Sequence, residues 1–179
     1  MEYQTLQTDS GNIVIKDAEE PELNELIKIY SCVFKKHNIL QKPEKEVLEY
    51  LKKSHKENKE VGGGYIVARL NNKTIGGILL RKRGQDLDGK HVLWKYNHVA
   101  VAGNYAGAGL GTALLNAAEQ KIRNLIKDGK TAKIEIRVSE TEKDALDFYK
   151  KLGFEIEGKL KSHFRLNELA YAMGKEIKE

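Results

Sequence analysis

Between Val99 and Thr112 the chain reads Val-Ala-Val-Ala-Gly-Asn-Tyr-Ala-Gly-Ala-Gly-Leu-Gly-Thr and runs directly into an apolar-periodic segment. An apolar run, a glycine-dense turn and a stripe at Leu110, Leu114, Ala117, Ala118, Ile122 and Leu125 spell strand, tight turn and helix. Gly107, Gly109 and Gly111 remove side chains where the backbone turns, so consecutive N–H groups can face one hollow. The first four N–H groups of a helix have no intrahelical acceptor, and the helix dipole adds partial positive charge there. Together these features predict a cradle for a pyrophosphate. The bland alternative is a glycine-rich connection with no ligand.

Spacing narrows the ligand. A Walker loop needs Gly-x4-Gly-Lys-Ser/Thr, and no lysine lies between Gly103 and Thr112. A dinucleotide fingerprint needs Gly-x-Gly-x-x-Gly near the first strand of a βαβ unit, whereas this motif is Gly-x-Gly-x-Gly and comes late in the chain. The spacing instead resembles the coenzyme A loop of the GNAT superfamily of acetyl-CoA-dependent N-acetyltransferases, Arg/Gln-x-x-Gly-x-Gly/Ala. Gly109 and Gly111 match its last two fixed positions, and Ala106 stands at the Arg/Gln position. That departure implies a weaker or differently supported grip, since the backbone donors survive it.

A second segment carries the same resemblance. Ile134-Glu-Ile-Arg-Val-Ser139 alternates as a strand, and Ala145-Leu-Asp-Phe-Tyr149-Lys-Lys-Leu-Gly-Phe154 follows as a helix ended by Gly153. Ala145, Tyr149, Gly153 and Phe154 match the superfamily pattern, while Glu142 stands where an Asn usually contacts the cofactor. The setting of Glu135, and Ala170-Tyr171-Ala172-Met173 near the C-terminus, are similar to the RimI-like protein N-terminal acetyltransferases.

Around these motifs the chain reads as β–α–α–β–β–β–α–β–α–β–β. The first strand is Ile13–Ala18. Pro21 opens a helix with Leu23, Leu26, Ile27, Tyr30, Val33 and Phe34 on one face. A second helix after Pro43 uses Val47, Leu48 and Leu51, with a polar loop over Ser54–Lys59. Tyr65–Leu70 and Thr74–Arg81 form a hairpin on Asn71-Asn72, and His91–Val101 is the third strand of this group. A helix over Glu142–Leu152 buries Ala145, Phe148, Tyr149 and Leu152. Strands follow from Phe154 and over Phe164–Met173. The resemblance implies an α/β (α+β) fold, a mixed, mostly antiparallel twisted sheet with helices on both faces. It is splayed between its fourth and fifth strands, here His91–Val101 and Ala132–Val138.

At 179 residues, with 40% hydrophobic and 32% charged residues, the chain suits one domain spanning residues 1–179. No apolar run approaches the ~18 residues of a membrane span. The N-terminus lacks the features of a secretory signal, so a cytoplasmic location is expected. The net charge of +5 comes from lysines interleaved with glutamates, which reads as solvated helix faces. Neither the aromatic–basic interleaving of an RNA module nor a DNA-reading helix is present, so nucleic acid and membrane are not expected partners. The single cysteine, Cys32, falls on an amphipathic helix and reads as a small buried side chain. No histidine–cysteine spacing resembles a metal site, and His91 and His98 face opposite ways in a regular strand.

The resemblance then implies the chemistry: transfer of the acetyl group of acetyl-CoA to a primary amine by direct attack. A protein N-terminus or lysine is the favoured acceptor and a small amine the other. Val99, Ala100 and Val101 would pair with the pantetheine arm along their main chain, Val99 also supplying an oxyanion donor. Ala106, Gly107, Ala108, Gly109, Leu110, Gly111 and Thr112 would hold the pyrophosphate, with Glu142 and Tyr149 as further cofactor contacts. Tyr149 can protonate the departing thiolate, its alternative being an aromatic residue packed on the helix stripe. An alkylammonium must lose a proton before it attacks, and Glu135 or His98 is the candidate base. Their alternatives are a surface glutamate paired with a lysine and a satisfied core imidazole. The enzyme reading competes with a catalytically inactive acetyl-CoA-binding sensor, and the oligomeric state is monomer or homodimer.

Overall fold

The computed structural model describes residues 1–8, 10–35, 38–126 and 129–178. In chain order the elements are β1 (Glu2–Thr8), β2 (Gly11–Asp17), α1 (Glu20–Val33), α2 (Glu44–Lys59), β3 (Gly64–Leu70), β4 (Lys73–Gln85) and β5 (His91–Val101). A 3-10 turn (Gly103–Tyr105) leads to α3 (Leu110–Leu125), β6 (Thr131–Ser139), α4 (Lys143–Lys151), β7 (Glu155–Lys161) and β8 (Leu169–Ile177). The pairs β1/β2, β2/β3, β3/β4, β6/β8 and β7/β8 are antiparallel and β5/β6 is parallel, the mixed, mostly antiparallel arrangement expected. The chain divides into two compact units, Met1–Lys82 with Asn97–Leu125, and Arg83–Tyr96 with Ile126–Glu179.

In the first unit β3 is buried over most of its length and β4 from Thr74 to Leu80, and successive side chains of each strand point to opposite faces of the sheet. Tyr65, Val67 and Leu79 pack under Leu23, Leu26, Ile27 and Tyr30 of α1 and Val47 and Leu51 of α2 in one buried cluster. Burying each of these large side chains contributes about 1.5–3 kcal/mol. Lys16 on this face pairs with Glu22 of α1 at 3.0 Å, while its neighbour Asp17 turns the other way and meets Lys121 of α3 at 2.6 Å. Helices therefore cover both faces of this unit. Asn71 and Asn72 both take positive φ, +47° and +64°, the geometry a two-residue hairpin turn needs.

Several expectations fail here for physical reasons. Glu2–Thr8 forms a strand that no apolar alternation announces, its mostly polar residues being exposed along an edge. The segment Ser54–Lys59 continues α2 instead of forming a polar loop. Ser54, His55 and Asn58 extend the stripe of Val47 and Leu51 and are buried, and His55 and Asn58 satisfy backbone N–H groups at the entry to β3. His55 Nδ1 accepts the Tyr65 N–H at 3.0 Å, and the Asn58 carbonyl accepts the Gly63 N–H at 2.8 Å. Cys32 is exposed, not buried, because it lies off the Leu23–Leu26–Ile27–Tyr30 stripe. Val33 and Leu125, assigned to apolar faces, are also exposed, each lying in the last turn of its helix.

In the second unit β8 lies between β6 and β7, with Ala132 opposite Ile177 and Ser139 opposite Ala170. The last strand begins at Leu169 and not at Phe164, which is exposed in the preceding turn. The β5/β6 ladder runs from His91–Thr131 to Lys95–Glu135 and, among the described residues, ends there, although β5 continues to Val101 and β6 to Ser139. Gly153 closes α4 with φ +83°. Its N–H donates to the Lys150 carbonyl at 3.0 Å, and the Phe154 N–H reaches the Tyr149 carbonyl at 3.0 Å, a Schellman cap. On α4 only Tyr149 is fully buried; Ala145, Phe148 and Leu152 are half-buried, a shallower face than expected.

Candidate active site

Beyond β5 the chain is tied down by the Ala102 N–H, which donates to the Ile75 carbonyl at 2.8 Å. Gly76 allows this closeness, since a Cβ there would stand 3.0 Å from the Ala100 carbonyl oxygen. Residues 106–109 are exposed, and Gly107 and Gly109 take φ +79° and +75°. A Cβ at either would meet nothing within 4 Å, so these glycines serve the turn and leave open space before it. The first bond of α3 runs from the Ala113 N–H to the Gly109 carbonyl at 3.0 Å. The N–H groups of Leu110, Gly111 and Thr112 precede it and are left for an anion. Ala106 and Ala108 instead donate to the Gly103 and Tyr105 carbonyls, at 3.1 and 3.4 Å. An uncluttered turn ending in unpartnered helix donors fits a phosphate-bearing ligand.

On β5, His98 has φ +52° and is buried, and its Nδ1 lies 3.0 Å from the Tyr65 hydroxyl. Its ring stacks on Tyr65 at an interplanar angle of 15° and is flanked by Tyr30, Phe34 and Tyr50 at centroid distances of 5.7, 6.0 and 5.8 Å. Burial, followed by the neighbouring phenols, raises the pKa of Tyr65 well above its ordinary value. The Tyr30 hydroxyl is buried with no hydrogen-bond partner among the described residues. Sequence reasoning singled out His98 alone. Its aromatic surround comes from α1, α2 and β3, and no local spacing connects those positions.

In the second unit Glu135 is half-buried in β6, level with Lys95 on one side and Gly174 on the other. A Cβ at Gly174 would collide with the Glu157 carboxylate, which lies across β8 to pair with Lys133 at 2.7 Å. Tyr149 is buried against Phe148 and Phe154, with ring centroids 5.1 and 5.8 Å away. Burial first, and the charge of Glu142 second, raise its pKa, so the phenol keeps its proton at neutral pH. Glu142 precedes α4, and its carboxylate accepts the Ser139 N–H at 3.3 Å. The Glu142 charge thus stands near enough to Tyr149 to act on it. Among the described residues no group of three or more His, Cys, Asp or Glu could hold a metal, and no helix is long and apolar enough to cross a membrane.

The chain is 32% identical over 120 residues to an N-alpha-acetyltransferase from Sulfurisphaera tokodaii, covering 64% of this chain and 70% of that protein. Arabidopsis thaliana Naa50, solved with the bisubstrate analogue CoA-Ac-MVNAL, superposes with a TM-score of 0.69 at 20% identity, over 91% of this chain and 97% of that one. A ribosomal-protein-alanine N-acetyltransferase from Brucella melitensis gives 0.74 at 20% identity, over 91% and 99%. Residues 23–154 match the acetyltransferase (GNAT) family profile. The chain therefore belongs to the GNAT family and is an acetyl-CoA-dependent acyltransferase.

Proposed function

We propose that this enzyme acetylates a primary amine on a protein, an N-terminus or a lysine, by direct attack of the amine on the thioester of acetyl-CoA. The observation that carries the reading is the open, positive-φ turn at Gly107 and Gly109, leading into the unpartnered N–H groups of α3. The N-alpha-acetyltransferase relative and the peptide-bearing analogue in Naa50 support a protein acceptor.

Acetyl-CoA supplies the acetyl group; the chain binds, orients and moves protons. The segment Ala106–Thr112 holds the pyrophosphate through main-chain N–H groups, those of Gly107, Gly109, Leu110, Gly111 and Thr112 carrying most of it. Val99, Ala100 and Val101 offer a strand edge to the pantetheine amides, and the Val99 N–H polarises the thioester carbonyl. The amine nitrogen bonds to the carbonyl carbon as the carbon–sulfur bond breaks. Tyr149, kept protonated by burial and by Glu142, donates to the thiolate. Glu135 or His98 takes the proton that the amine loses. Isothermal titration with acetyl-CoA, then mass spectrometry of peptides and small amines incubated with enzyme and acetyl-CoA, tests the reading. Acetylated peptide is expected. Cofactor binding without any acetylated amine would sink it.

A further inference from the structure

We propose that Glu157 holds the Lys133 ammonium away from Glu135 and so keeps the Glu135 carboxylate open to the acceptor's proton. The inference rests on the acetyl-transfer reading above, with Glu135 as the residue that receives that proton.

Strand β6 buries Ala132, Ile134, Ile136 and Val138, which sets Lys133, Glu135 and Arg137 side by side on its other face. Two cations flanking one carboxylate would ordinarily compete for it. Here both are drawn elsewhere. Lys133 reaches the Glu157 carboxylate at 2.7 Å, and Arg137 donates to His163 Nε2 at 3.1 Å. Burial first, then Arg137 and Lys95, lower the pKa of His163, so its ring is neutral near pH 7 and can accept that bond. Lys95 is level with Glu135 on β5, and its charge also acts on His163. Among the described residues the Glu135 carboxylate has no hydrogen-bond or ion-pair partner.

The backbone makes room for this diversion. Glu155 lies opposite Gly174 and Gly158 opposite Ala172, so β7 carries one residue more than β8 over this stretch. The Glu157 side chain crosses Gly174, which is itself the direct partner of Glu135 in the β6/β8 ladder. Any Cβ at Gly174 would collide with the Glu157 carboxylate. Glu157 therefore fills the place of a side chain opposite Glu135 and pulls Lys133 toward itself. An ammonium beside a carboxylate stabilises the ionised form and makes it a poorer base. Glu157 is thus a positioning residue that acts through Lys133.

Crystal structures read the arrangement without any need for activity. Lys133 should pair with Glu157 in the parent protein, and in Glu157→Gln its Nζ should lie within about 4 Å of a Glu135 oxygen. A Lys133 that turns instead to solvent, or to Glu176 directly opposite it on β8, overturns the proposal. Kinetics test the consequence. Glu157→Gln should lower kcat about tenfold at neutral pH with the KM for acetyl-CoA unchanged. Adding Lys133→Met should bring kcat back to within about twofold of the parent, a recovery that damage to the sheet would not show. A parental kcat in Glu157→Gln, or a double variant as slow as the single one, also overturns it. If the parent enzyme acetylates no amine, the functional reading fails, while the crystal structures still decide whether Glu157 keeps Lys133 off Glu135.

Discussion

The Lys121 ammonium lies 2.6 Å from Asp17 Oδ1 and 3.0 Å from the Gly63 carbonyl oxygen, so one cation joins the end of β2, α3 and the turn into β3. Asp17 also accepts the Tyr3 hydroxyl at 2.8 Å. Burial pushes the Asp17 carboxyl upward, but hydrogen bonds from Lys121 and Tyr3 and the nearby positive charges outweigh it and hold the pKa low. Glu22 is treated similarly: burial raises it, and Lys16, the Glu19 N–H and Arg69 bring it below its usual range. His55 is held low by burial first, then by Lys59 and Lys121.

All three groups have folded pKa values below their unfolded ones. Each contributes stability that is present above the unfolded pKa and lost as pH falls through the folded one. Urea midpoints should therefore start to fall below about pH 6.5, as His55 is forced to charge, and fall faster below about pH 5, as Asp17 and Glu22 protonate. Asp17→Asn should cost about 1–2 kcal/mol at neutral pH and flatten only the more acidic part of the curve. An unchanged acid limb would assign the titration to other groups.

Tyr149→Phe removes one hydroxyl and keeps the ring against Phe148 and Phe154. We expect kcat to fall about a hundredfold with the acetyl-CoA Kd nearly unchanged. Equal losses in turnover and binding would reduce Tyr149 to a packing residue.

Gly109→Ala separates conformation from space. A methyl group there meets no neighbour, but φ +75° costs an L-residue about 1–2 kcal/mol. The methyl would also stand where the pyrophosphate is proposed to bind, so the acetyl-CoA Kd should rise about tenfold, or 1.4 kcal/mol, by titration. Gly158→Ala, which likewise meets nothing within 4 Å, is the control and should leave Kd alone. Equal affinities in the two variants would move the anion elsewhere.

Gly77→Ala probes the core under α1. The added Cβ would lie 2.8 Å from Leu26 Cδ2 and 3.3 Å from the Tyr30 hydroxyl, so overpacking should cost about 1–3 kcal/mol in urea denaturation. No loss would mean that the α1 cluster has slack.

What the sequence disclosed was local. The Val99–Thr112 motif and the Tyr149–Phe154 cap are contiguous, and their glycines announce the backbone they need, so both were legible before any coordinates. Asn71-Asn72 was legible for the same reason. The box around His98 was not, because Tyr30 and Tyr65 each read as an ordinary position of its own element and Tyr50 lies off the Val47–Leu48–Leu51 stripe. The tail of α2 misled because polarity usually signals a loop. There Ser54, His55 and Asn58 are buried, with His55 and Asn58 serving backbone groups at the entry to β3. The crossing of Glu157 over Gly174 depends on a register irregularity between Ile156 and Gly158, which no pattern of apolar residues records.

The exposed thiol of Cys32 gives the experimenter a ready handle. It is the chain's one cysteine and lies on the outer side of α1, two residues before Phe34, whose ring packs 6.0 Å from that of His98. A maleimide dye attached there would label a single position without prior mutagenesis. Its fluorescence would report whether an amine entering beside the imidazole disturbs the end of that helix.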